Sequence, residues 1–116
     1  MNRSAQLDTL AASLMELTEV LSLDPHCQWR RHFEQCLATT RQLKATEFSQ
    51  SKLNELSGSV RSVFGGMGSF NDYAPVAVAQ GGSVSVIRGM ERLDQIAGQV
   101  HENALALMVV EGNHAL

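Results

Sequence analysis

Aromatic residues and prolines are scarce in this sequence, with one Trp, one Tyr, four Phe and two Pro in 116 residues. That scarcity disfavours a sheet sandwich and favours helices. There is no surplus of positive charge either. Nine Lys and Arg stand against twelve Asp and Glu, for a net charge of −3, which argues against phosphate neutralisation and hence against a nucleic-acid partner, and favours a basic protein surface. No run approaches the ~18 apolar residues of a membrane span. Met1-Asn2-Arg3-Ser4 leads directly into an amphipathic pattern and not into the apolar core of a signal peptide. The expectation is a cytoplasmic protein with no membrane contact.

Cysteine is nearly absent too, with Cys27 and Cys36 alone. If both lie on one helix, a ~1.5 Å rise per residue puts them ~13 Å apart on opposite sides. A disulfide needs Cα atoms within ~7 Å, so the two thiols stay free, as in a reducing compartment. At this length the chain is one domain, residues 1–116, large enough for a core that needs no staple.

What is present is helical periodicity. Leu7, Leu10, Ala11, Leu14, Leu17 and Leu21 recur at intervals of three and four, predicting a helix over about 4–22 with Ser4 as its N-cap and Asp8 near its start. Asp24-Pro25 reads as a restart after a tight turn. The second helix carries Trp29, Phe33, Cys36, Leu37, Thr40 and Leu43 on one face and should pack antiparallel to the first. A third runs from about Lys44-Ala45-Thr46 to Phe64, ended by Gly65 as a left-handed cap. A last helix of about 25 residues begins near Ser85, and Glu111 to His114 fray. The fold class is therefore all-α, a four-helix bundle-like single domain with a Gly-rich loop between helices three and four. Its expected core is Leu10, Leu14, Leu17, Trp29, Phe33, Leu37, Leu56, Val60, Met90, Leu93, Ala97 and Val100. Trp29 is the largest contributor, and Trp29→Ala is expected to cost about 3–5 kcal/mol.

Residues 65 to 84 form a long irregular connection, the kind usually functional or mobile. In its second half, Ala74 to Ala79 and Ser83 to Ile87 alternate around Gln80-Gly81-Gly82. That pattern could make a hairpin. An extended loop ranks higher, because an uncovered two-stranded ribbon is barely stable.

Signatures of chemistry are weak. Gly66-x-Gly68 lacks the third glycine of a dinucleotide fingerprint, since Asn71 occupies its place, and a helix instead of a strand precedes it. His26, Cys27, His32 and Cys36 do not converge on one ion from a single helix, and His101 reads as a core-edge histidine, so no metal and no cofactor is expected. Ser69 has no nucleophile elbow around it. Glu16 and Glu19 sit on the solvated side of the first helix. Asn71 and Asp72 either offer hydrogen bonds to a partner or cap the loop's own amides, the second being the commoner use.

Together, Trp29-x-x-His32-Phe33 and Gly65-Gly66-Met67-Gly68-Ser69-Phe70-Asn71-Asp72 resemble a family of small bacterial helical proteins, classed as a domain of unknown function, that carries a GGMGSFND signature. Where that pattern continues with a Leu-containing apolar segment, this chain has Tyr73-Ala74-Pro75. The resemblance implies the helical architecture and brings no established activity. Small acidic helical proteins of this type are frequently immunity proteins, which block a toxin by binding it stoichiometrically. The function expected is thus a non-catalytic protein-binding module, an immunity protein for a cognate bacterial toxin, using Met67, Ser69, Phe70, Asn71, Asp72 and Tyr73. A small enzyme or ligand-binding protein with a pocket under the 65–73 loop is the alternative, and a homodimer the third reading.

Overall fold

The computed structural model describes residues 2–65 and 68–108, with four α-helices among them: α1 (Arg3–Leu21), α2 (Arg30–Ala45), α3 (Gln50–Arg61) and α4 (Leu93–Leu107). A single turn of 3-10 helix spans Phe70–Asp72, and two short strands, β1 (Val76–Val78) and β2 (Val84–Val86), lie between α3 and α4.

The leucine spacing of the first segment makes α1 the central element. Leu7, Leu10, Leu14, Leu17 and Leu21 are all 0 % exposed, and α1 packs against both α2 and α4. The Lys44–Asp8 ion pair and the Arg41 contact to Met15 Sδ set the end of α2 beside the first half of α1, so the two helices run antiparallel. Likewise Asn103 donates to Ser13 Oγ at 3.0 Å, and Arg3 to the Ala106 carbonyl at 3.2 Å, laying α4 antiparallel along α1. Helix α3 closes the remaining side against α4 and α2.

The helix ends differ from the sequence reading. Asn2, not Ser4, caps α1, its Oδ1 accepting the Ala5 N–H at 2.7 Å. Asp8 lies well inside α1, where its partner is Lys44. The Asp24-Pro25 signal does not start a helix: residues 22–29 form an eight-residue connection and α2 begins at Arg30. Cys27 is therefore in that connection and Cys36 on α2, and both are free thiols. Ser49 caps α3, its Oγ accepting the Lys52 N–H at 3.2 Å. That helix stops at Arg61, so Gly65, with φ +102°, bends the loop beyond the cap. Helix α4 starts eight residues later than Ser85, because the end of β2 and the turns over residues 87–92 take up the interval. Residues 111 to 114 lie outside the described residues.

The expected core is buried except for Trp29, which is half-buried beside α2. Phe33, at 0 % exposure, takes the place Trp29 was expected to hold. Five of the six aromatic side chains nevertheless gather in one cluster, with Phe33, Phe64 and Phe70 meeting edge to face at centroid distances of 5.0–6.0 Å. Trp29 touches Phe70 edge-on at 6.1 Å, and Tyr73 stacks on its other side at 6.0 Å.

The 76–86 segment is a hairpin, not an extended loop. Val76 pairs with Val86, Ala77 with Ser85 and Val78 with Val84 in antiparallel register. Gly81 and Gly82, at φ +91° and +86°, make the reversal at backbone angles that L side chains rarely adopt. Among the described residues the strands pack against no helix. The radius of gyration is accordingly 16.0 Å, against about 13 Å for a compact chain of similar length. The longest dimension, 61 Å, is also about twice what 19-residue helices side by side would span.

Truncating Phe33 to Ala should destabilise the protein by about 3–5 kcal/mol in denaturant unfolding, because it empties a closed core site. Trp29→Ala should cost only about 1–2 kcal/mol. Equal losses for the two would refute this placement.

Candidate functional site

The loop that the sequence marks out is held from within. Phe70 is 5 % exposed, and its backbone N–H donates to the Val63 carbonyl at 2.8 Å. It is the anchor of the loop and presents no surface to a partner, which corrects its expected role. Ser69 caps the 3-10 turn, its Oγ accepting the Asn71 N–H at 3.3 Å. The Asp72 carboxylate accepts the Gly68 N–H at 2.5 Å, so Asp72 caps the loop's own amide. Asn71 is exposed, and Met67 lies outside the described residues.

Tyr73 ties the loop to the α1–α2 connection. Its hydroxyl donates to Asp24 Oδ2 at 2.6 Å while Asp24 Oδ1 accepts the His26 N–H at 3.0 Å. The Tyr73 hydrogen bond holds the Asp24 carboxyl below its usual range. Burial, reinforced by Asp24, pushes the Tyr73 phenol well above its own. Both shifts favour the pair as found, a neutral phenol donating to a carboxylate.

Beneath the loop is a cleft of about 230 Å³, lined by Phe64, Phe70, Asn71, Tyr73, Leu93, Asp94, Ala97 and Gly98. It lies where the ligand-binding alternative requires one, yet below the roughly 300–1,000 Å³ usual for small-molecule sites. On another face the His32 Nε2 stands 3.6 Å from Cys36 Sγ, a pairing sequence reading missed although the residues are one helical turn apart. A Cys–His pair can generate a thiolate nucleophile. Here Cys36 is 3 % exposed and burial raises its pKa, the environment of an inert structural thiol. Among the described residues no three His, Cys, Asp or Glu side chains gather as a metal site would require, and no helix is long and apolar enough to cross a membrane.

The exposed apolar surface lies elsewhere. Val76, Val78, Val84 and Val86 share one face of the hairpin by register and are 39, 70, 60 and 49 % exposed. A groove of about 460 Å³ runs from this hairpin to the α1–α2 connection, lined by Leu23, Asp24, Pro25, His26, Val76, Ala77, Val78 and Ile87. Gly89 keeps that connection close, since a Cβ there would meet Leu23 Cδ1 at 2.7 Å and φ is +93°. The signal for this surface was in the sequence: from Ala74 to Ile87 there is no charged residue, and valines alternate on both sides of the glycine pair.

The Gly-rich loop, the hairpin and the connection facing them form one unit of sequence. A family model described as a domain of unknown function, DUF6966, matches residues 22–84, more than half of the chain. The chain belongs to the DUF6966 family. The match covers α2, α3, the loop, β1 and the first residue of β2, while α1, the rest of β2 and α4 lie outside it. No curated protein and no solved structure matches the chain.

Replacing Tyr73 by Phe removes the hydroxyl and keeps the stacked ring, and should cost about 1 kcal/mol. The sign of its pH dependence follows from the two shifts. Asp24's folded pKa is depressed, so its contribution is present above about pH 4 and is lost as pH falls through the folded value. Tyr73's is raised, so its contribution is present below about pH 10 and is lost as pH rises beyond. The stability gap between parent and Tyr73→Phe should therefore be widest between those limits and close on either side. A gap that is flat with pH would refute the pairing.

Proposed function

We propose that this DUF6966 protein is a non-catalytic protein-binding module, specifically an immunity protein that neutralises a cognate bacterial toxin in the cytoplasm by stoichiometric binding. In this reading the four helices form a bundle-like body and the buried Phe70 is the clasp that positions the contact surface. The observation that carries it is the uncharged hairpin with its four exposed valines, standing clear of the helices beside a groove. A monomer seldom leaves such a concentration of apolar side chains in water without a partner to cover it. The net charge of −3 suits a basic partner.

Expression with the product of the adjacent gene should give a one-to-one complex and relieve that product's toxicity. A Val78→Asp variant puts one charge on the valine face and should weaken the complex at least tenfold, with melting unchanged within about 2 °C because the site is exposed. Absence of any complex together with absence of protection would sink the reading.

The cleft of about 230 Å³ under the loop favours a second reading, a small-ligand site. A metabolite bound there should raise the melting temperature by several degrees. Gly98→Leu should abolish that rise, since Gly98 lines the cleft and a Cβ on it meets nothing within 4 Å. A rise that survives Gly98→Leu places the ligand elsewhere.

A further inference from the structure

We propose that the outer edge of β1 binds one extended strand of a protein partner by β-strand addition, in the groove between Val76–Val78 and Leu23–His26, and selects a strand with alternating apolar side chains and a basic residue at its end. This deepens the protein-binding reading above and rests on it.

The ladder bonds decide which backbone groups are available. Ile87 N–H donates to the Pro75 carbonyl at 2.8 Å and Ala79 N–H to the Ser83 carbonyl at 2.7 Å. In an antiparallel pair, hydrogen-bonded and non-bonded positions alternate. Ala77 and Ser85 are therefore bonded to each other, whereas Val76 and Val78 turn their backbone groups outward. The Val76 N–H is taken by the Ala74 carbonyl at 2.9 Å. The Val76 carbonyl and both backbone groups of Val78 remain, with no partner among the described residues. Such a row is a template for another strand.

The groove lies along that edge. Three consecutive β1 residues line it while β2 itself contributes none. Side chains alternate between the faces of a ribbon, so a groove bordered by three consecutive β1 residues, with Ile87 at the ribbon's base, reaches the β1 edge. Leu23 and Pro25 form an apolar far wall, and the groove's volume of about 460 Å³ suits a few residues of one strand, not a second eleven-residue hairpin. That favours a single strand over another copy of this chain. Asp24 is the one carboxylate in the lining, and no Lys or Arg faces it there. The charge therefore favours a basic strand end.

Two synthetic peptides, KTVTVTVK and ETVTVTVE, titrated into the ¹⁵N-labelled full chain, test this. The Lys-ended peptide should shift the Val78 and Leu23 amides and slow exchange of the Val78 N–H, and should bind at least fivefold tighter than the Glu-ended one at low salt. Val78→Pro removes the outward N–H without touching the hairpin's own ladder, and should weaken binding at least tenfold. Val84→Pro makes the same change on the far edge and should alter binding less than twofold. Continued protection of the Ala79 and Ile87 amides reports that each hairpin is intact. If Val78→Pro loses that protection, Leu23→Ser on the opposite wall takes its place and should weaken binding at least fivefold. Equal effects of the two prolines, absence of binding at millimolar peptide, or no preference for the Lys ends would overturn the proposal. So would dimerisation of the protein alone that Val78→Pro abolishes, which would assign the edge to a second copy. If the adjacent gene's product still binds Val78→Pro at full strength, strand addition fails while the protein-binding function stands. If the peptide binds as expected and that product does not, the edge site stands and the toxin assignment fails.

Discussion

One ring holds the irregular part of this protein to the regular part. Phe70 is buried between Phe33 of α2 and Phe64 beyond α3, with Trp29 and Tyr73 completing its surroundings. Each aromatic contact contributes about 0.5–1.5 kcal/mol beyond the area it buries, so a cluster of this size offsets much of the entropy of fixing a loop. From that anchor the Tyr73 hydroxyl reaches Asp24 across 49 positions of sequence. The α1–α2 connection is thereby tied to the start of the hairpin, and the two walls of the β1 groove are set relative to each other.

The loop and the hairpin divide the work. The loop spends its polar groups on itself: Ser69 caps Asn71, Asp72 caps Gly68, and Tyr73 holds Asp24. Among the loop's described residues, the Asn71 side chain is exposed and takes no part in these bonds. The hairpin does the reverse, burying nothing against the helices and keeping its valines in water. A two-stranded ribbon of this kind is marginal by itself. Here it is clamped at its base, where Ile87 bonds Pro75 and Met90 sinks into the core at 1 % exposure. Rigid base and uncovered edge are what strand addition needs.

Local rules made the helices legible and nonlocal bonds hid the rest. The leucine spacing of α1 determines both its length and its buried face, and the choice between Asn2 and Ser4 as cap turned on two residues of similar capping strength. Asp24-Pro25 has the composition of a helix start, and Asp24 Oδ1 does accept the His26 N–H, but the Cys27 N–H returns to the Asp24 carbonyl in a turn and the other carboxylate oxygen is held by Tyr73 49 positions away. The second helix begins later as a result, and Trp29 falls at its margin where it cannot enter the core. The described residues of the Gly-rich loop anchor it through Phe70. The hairpin was visible as alternation, and it ranked second only because the stability of an isolated ribbon was weighed without the clamp that Met90 and Ile87 provide.

The segment matched by the DUF6966 model does not contain its own support. Residues 22–84 include the Gly-rich loop, β1 and the start of β2, while the apolar faces of α2 and α3 are covered by α1 and α4, which lie outside the match. Without α1 the apolar face of α2 loses a principal neighbour, and without α4 that of α3 does. The matched segment alone would leave too much apolar surface in water to keep its loop in place. The candidate surfaces and much of their support therefore lie on different stretches of this chain. Phe70 is where they meet, since its ring belongs to the loop and its environment to the helices.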